Sequence, residues 1–287
     1  YENSISKSSI SEMGSNREIQ WNSDELEKKI KNMCNALLNK SEFFKVWRKL
    51  KIALTTMTSD AAGMTYFQML LRDWDAKGEP QSESKKQRLF IKNAKVLFDR
   101  IIFEYVSGIW KGSSDSKLAN YIKNTPFTED SEFSEIEDSR WNQLIDGAIE
   151  HNKINNNLLS ETEIKALLCY YYILSPKNLD LESEVPQIDH IIPKSRIGDS
   201  SDYSVFRDSL INYAFLNGRI NRAKKDKLLK DIESEFEADY ISKAEDIPRE
   251  DFSIYVGVDS IEKLIERRGK IIAEAFKTKR IEELRVM

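Results

Sequence analysis

The chain has 287 residues, of which 40% are hydrophobic and 32% charged, and a formal net charge of −4. That balance reads as a soluble, cytoplasmic globular protein of one large or two ordinary domains. It excludes a chain that coats nucleic acid with uniform positive charge, and no apolar run reaches the roughly 20 residues of a membrane span.

Residues 1–18 are polar and Ser-rich, too poor in apolar surface to offset ordering, and read as a disordered linker. The Asn22-x-x-Glu25 spacing suggests a capping box, followed by Leu26, Ile30, Met33, Cys34, Leu37 and Leu38 at helical intervals. Ser41 restarts a second helix with Phe43, Phe44, Val46, Trp47, Leu50 and Leu54. A third is expected over about 61–75, closed by Gly78 and Pro80, and a fourth over about 84–106. Aromatics dominate these faces, which suits the core of a helix bundle rather than a stacking platform for bases.

A turn-rich break over 108–116 precedes a short helix at 117–124 and an acidic loop at 125–137. A helix follows over 138–152. His151 near its end complements the helix dipole and reads as surface structure, not as a ligand. Asn155, Asn156 and Asn157 make a loop. Ser160-x-x-Glu163 is a capping box opening an apolar helix to Leu174, expected to pack against the strands beyond it.

An acidic connector, 176–186, leads into the stretch that carries the chemistry. Gln-Ile-Asp-His-Ile-Ile at 187–192 is a short apolar run stopped by Pro193, which marks a strand end. Residues 210–216 read as a second strand. At Asn217-Gly218 the pattern changes to a short basic helix with Asn217 as its cap. The order is strand, loop, strand, helix. Residues 228–243 suggest a further helix, broken by Pro248. A final helix capped by Asp259 or Ser260 is expected to bury Ile261, Leu264, Ile265, Ile271, Ile272 and Phe276.

Asp189-His190 before Ile-Ile-Pro, Asn212 in the second strand and Asn221 on the helix together resemble the ββα-metal fold of HNH endonucleases; the interval 221 − 212 = 9 fits their spacing. The layout of a helical region, the motif and a closing helix is similar to the C-terminal half of GmrSD-type and SspE-type phage-defence nucleases. The resemblance implies a mainly α chain: a helical bundle domain at 19–157, then a ββα-metal HNH nuclease domain with a C-terminal helix at 158–287. It also implies a bacterial restriction or anti-phage role and an upstream sensing or nucleotide-hydrolysing domain or subunit. A homodimer would convert nicks into double-strand breaks.

The same resemblance implies His190 as general base, since imidazole titrates near neutrality, and Asp189 and Asn221 as oxygen donors to Mg²⁺, or Mn²⁺ in its place. Asn212, placed with the catalytic group, would hold the loop or the imidazole orientation through its amide. Lys194, Arg219, Arg222, Lys224, Lys225 and Lys227 form a local basic excess suited to the phosphates of double-stranded DNA. Zinc is not expected: Cys34 and Cys169 lie far apart with no CxxC pair, and are read as two buried, reduced thiols, while His151 and His190 are the only histidines. One geometric condition attaches to this reading. Neighbours on a regular strand point to opposite faces, so Asp189 and His190 meet at one ion only if the strand bends or ends between them. A catalytically silent module on the same scaffold, binding nucleic acid or a partner, and an RNA nuclease with the same site are the alternatives.

Overall fold

A computed structural model describes residues 23–81, 83–111, 114–177, 185–199, 202–232 and 237–285. The expected N-terminal linker, the Asn22 cap and the middle of the 176–186 connector lie outside the described residues. The chain is mainly helical, with two small antiparallel sheets. No helix among the described residues is long and apolar enough to cross a membrane. The chain forms two compact units. The first takes residues up to Lys45, Leu54–Glu135 and the end from Leu284; the second takes Val46–Ala53 and Ile136–Glu283.

In the first unit α1 (Ser23–Lys40) is followed by the start of α2 (Glu42–Leu50). Helix α2 stops at Lys51, which takes a positive φ of 52° and so leaves helical geometry before Leu54. Helix α3 (Asp60–Ala76) is capped by Ser59, whose hydroxyl accepts from Ala62 N at 3.2 Å. Ser84 does the same for α4 (Lys85–Val106), and α5 (Ser114–Asn124) follows. The expected aromatics meet inside this unit: Trp74 and Phe90 at 4.9 Å, Phe43 and Phe98 at 5.3 Å, all edge-on. One polar cluster lies among them. Asp73, fully buried, accepts from Lys77 Nζ at 2.6 Å and from Asn93 Nδ2 at 3.1 Å. Asn93 and Lys77 then donate to the Ser131 carbonyl at 2.9 and 3.1 Å, which pins the acidic loop to the helices.

The division between the units falls at Glu135 and Ile136, so α6 (Asp138–His151) belongs with the second. The Asn-rich stretch after it is a small hairpin, β1 (Lys153–Ile154) against β2 (Asn157–Leu158). Asn155 and Asn156 both adopt left-handed φ values, 49° and 65°, as a two-residue hairpin turn requires. Helix α7 (Glu161–Leu174) opens on the expected Ser160–Glu163 capping box. It is buried on almost every side, and Tyr172 packs on Phe215 with ring centroids 5.2 Å apart.

Strand β3 (Gln187–His190) pairs antiparallel with β4 (Tyr213–Leu216), with Asp189 opposite Ala214 and His190 opposite Tyr213. The second strand is shorter than expected, and the carbonyls at Leu210 and Ile211 accept from a side chain described below. Helix α8 (Gly218–Lys224) starts at Asn217, whose Oδ1 accepts from Arg219 N at 2.9 Å. Residues 228–243 are not one helix: a single tight turn at Leu229–Ile232 precedes α9 (Ala238–Glu245). The last helix, α10, comprises Ile261–Leu264, Lys270–Glu274 and Arg280–Arg285, joined by two wide turns at Ile265–Gly269 and Ala275–Lys279.

The buried face nonetheless keeps an ordinary helical spacing, through Ile261, Leu264, Arg268, Ile272, Ala275 and Phe276. Ile271, expected inside, is 39% exposed, and the interior position goes instead to Arg268, which is fully buried. Gly269 approaches α6 so closely that a Cβ there would lie 2.7 Å from Ile149 Cγ2. The thiols also differ from expectation: Cys169 is buried, but Cys34 is only half-buried.

Candidate functional site

The β3–β4–α8 segment carries polar groups on both faces of its short sheet. Strand β3 stays regular to its end, since Ile191 N continues the ladder to Asn212 O at 2.9 Å. Alternation therefore separates neighbours. Gln187 and Asp189 face α8, and His190 faces the other way beside Tyr213.

On the α8 side, Asn221 Nδ2 donates to Gln187 Oε1 at 3.1 Å. One turn on, Lys224 donates to the Asp189 carboxylate and to the His190 carbonyl, the latter at 2.8 Å. Its ammonium also lies 3.0 Å from Glu245 Oε1 on α9. Asp189 is 4% exposed, Lys224 2% and Glu245 0%. Burial raises the Glu245 carboxyl to about 7 against the opposing pull of Lys224, with Asp189 pushing the same way as burial. Lys224 was expected on a phosphate-binding surface. It is not available there, because two buried carboxylates hold it inside. Its shared face with Asn221 is the inward face of α8.

On the opposite side, His190 Nε2 lies 3.0 Å from Asp208 Oδ1. The same oxygen accepts from Tyr213 OH at 2.8 Å and sits 2.8 Å from Lys194 Nζ. Arg207 Nε reaches Oδ2 at 3.3 Å. The Tyr213 ring stands edge-on to the imidazole at 4.8 Å and 88°. Burial lowers the His190 pKa, against the pull of Asp208, so the ring is neutral at neutral pH. Burial alone would raise Asp208, but the bonds from Lys194, His190 and Tyr213 outweigh it and hold the carboxyl well below its ordinary range. The imidazole side chain keeps about 20% exposure, so it is open to a water.

Asn212 is fully buried and acts through the backbone. Its Oδ1 accepts from Ile192 N at 2.8 Å, and its Nδ2 donates to Ile192 O and Arg207 O, both at 3.0 Å. It ties the end of β3 to the loop that carries Asp208. Asn152 adds two bonds from Nδ2 to that loop, to Val205 O and Asp208 O at 2.8 Å. From α10, Arg268 donates to the carbonyls of Leu210, Ile211 and Tyr213 at 2.7 Å and of Glu245 at 2.9 Å. An irregular buried segment needs partners for its carbonyls, and three side chains from three places supply them.

Of the remaining basic residues, Arg219, Arg222 and Lys225 are exposed on and after α8, and Lys227 is half-buried. Lys225 ends the helix at a φ of 50°, so it does not continue the face of Asn217 and Asn221. His151 is 69% exposed at the end of α6, as surface structure. Sequence reasoning passed over Asp208, Tyr213, Glu245 and Arg268. Arg268 had a signal: it falls at i+4 from Leu264 on the apolar face of the last helix. Asp208 had none, since it is one acid among several in a polar passage.

No family model, curated protein or solved structure matches this chain.

Proposed function

We propose that the second unit is a nuclease module of the HNH type that hydrolyses phosphodiester bonds in double-stranded DNA, with His190 as general base. The observation that carries this reading is a partly exposed, neutral imidazole at the end of the first strand of a strand–loop–strand–helix segment, bonded to a carboxylate and flanked by Lys194. A neutral ring accepts a proton from an attacking water, and a general base of this kind contributes about 10²–10⁴-fold to rate. Asn212 fixes the loop on which the imidazole's partner stands. Arg219, Arg222, Lys225 and Lys227 supply cations for backbone phosphates, which would position a duplex without reading its sequence. The resemblance adds the wider proposal of a defence effector acting with an upstream sensing domain.

The expected Mg²⁺ site does not fit these residues as arranged. Asp189 and His190 lie on opposite faces of a regular strand, and the Asp189 carboxylate is closed in by the Lys224 ammonium. A divalent ion at Asp189 would have to displace a buried cation.

That same ion pair favours a second reading, a catalytically silent module that binds nucleic acid or a partner on this scaffold. Supercoiled plasmid incubated with the full chain in Mg²⁺ and in EDTA separates the two. Nicking that falls at least about 10²-fold in His190→Ala supports the nuclease. Equal products from wild type and His190→Ala, or none in either buffer, leaves the silent module. RNA in the same buffers decides between substrates.

A further inference from the structure

A neutral imidazole carries one proton, and the nitrogen that holds it leaves the other as the base. His190 Nε2 faces Asp208 Oδ1 at 3.0 Å. Asp208 is ionised, for the reasons given above, and an ionised carboxylate only accepts hydrogen bonds. The hydrogen between them therefore belongs to Nε2. Among the described residues Nδ1 has no hydrogen-bond partner.

Asp208 is held more firmly than a surface acid needs to be. Tyr213 OH and Lys194 Nζ both reach the oxygen that faces the imidazole, each at 2.8 Å, and Arg207 takes the other oxygen. Its own carbonyl is fixed by Asn152, and the neighbouring Arg207 carbonyl by Asn212. The edge of Tyr213 against the ring sets the plane of the imidazole. Carboxylate, phenol and imidazole thus form one oriented set built on β3, β4 and the loop between them.

We propose that Asp208 is the positioning residue of this site: it locks His190 in the Nε2–H tautomer and leaves Nδ1 as the atom that takes the proton from water. The second half of that statement rests on the nuclease reading; the first does not. Tyr213 and Lys194 hold Asp208 and do not touch the reacting atoms.

The test uses the full chain labelled with ¹⁵N at histidine. The chain has two histidines, so His151→Asn leaves one imidazole to observe. Above the titration of the ring, the wild-type spectrum is expected to show the proton on Nε2. In Asp208→Asn the amide can donate to Nε2, and the population is expected to move toward Nδ1–H. A wild-type ring with its proton on Nδ1, or no change in Asp208→Asn, overturns the proposal. For cleavage, Asp208→Asn is expected to lower kcat by roughly 10²–10⁴-fold, the range seen when a base is left in the wrong tautomer, while KM stays within about threefold. Cleavage unchanged in that variant overturns the catalytic half. Failure of the nuclease reading is read separately, from wild type against His190→Ala. The wild-type tautomer is measured without any variant at Asp208, so a poorly folding Asp208→Asn does not remove the test.

Discussion

Lys224 is the residue on which the chemistry of the α8 face turns. Two carboxylates and one ammonium share a space closed to water, and removing the cation would leave two buried negative charges beside each other. Lys224→Met is therefore expected to destabilise the second unit by about 3–5 kcal/mol, measured by urea unfolding. Glu245 adds a pH dependence. Its carboxyl is raised in the folded protein, so between the ordinary value of about 4.3 and about 7 the folded state binds more protons than the unfolded one. Stability must then fall as pH rises through that window. Glu245→Gln is expected to flatten this part of the profile of Tm against pH; an unchanged slope would contradict the assignment. Asn212→Ala would strand the amide and carbonyl of Ile192, at about 1–3 kcal/mol for each group left unpaired. At this scale the sequence was informative about identities and silent about facing. Asp189, His190, Asn212 and Asn221 stood out by type and spacing, and the period of a strand already warned that the first two diverge. That Lys224 points inward could not be read, because a basic helix of seven residues shows the same pattern whichever side meets the sheet.

Elements were legible where a cap or a long period defined them. The helices expected from about Ser84 and from the Ser160–Glu163 box start there, with the serine side chains accepting the first free amides; Ser59, not singled out in the sequence, does the same for α3. Ser160→Ala is expected to cost about 1 kcal/mol, seen as a lower Tm. Two elements differ from their expected form. Strand β4 begins at Tyr213, later than expected; Asn212 still accepts from Ile191, while the carbonyls of Leu210 and Ile211 accept from Arg268. The buried face of α10 keeps a regular 3.6-residue period through Ile261, Leu264, Arg268 and Ile272, which puts Arg268 inside and Ile271 at the edge; choosing apolar residues by type alone passed over the arginine. Asn155, Asn156 and Asn157 read as a loop; the first two form the turn, but Asn157 begins β2, because two-residue strands are too short to show a period.

For the whole molecule, the contrast is between a net charge of −4 and a cluster of cations on and around α8. If that cluster meets phosphate, DNA binding should weaken steeply with salt, by a slope of about −0.9 per phosphate contact. Arg222→Glu and Lys225→Glu are each expected to reduce the slope by about one and to weaken all duplex sequences alike. A titration series in rising salt checks both, and a flat response would remove the cluster from the binding face. The helical character of the first half was plain from its apolar spacing. The allotment of Val46–Ala53 to the second unit was not, because units of this kind are defined by contacts distant in sequence.

One guanidinium, at Arg268, joins the loop that carries Asp208, the end of α9 and the body of α10. Segments hung from a common donor set tend to open together rather than one at a time. Amide hydrogens over 209–216 and 261–272 are therefore expected to exchange with deuterium as a single cooperative group. The last helix, although remote from His190 in sequence, would then set how long the imidazole's surroundings persist.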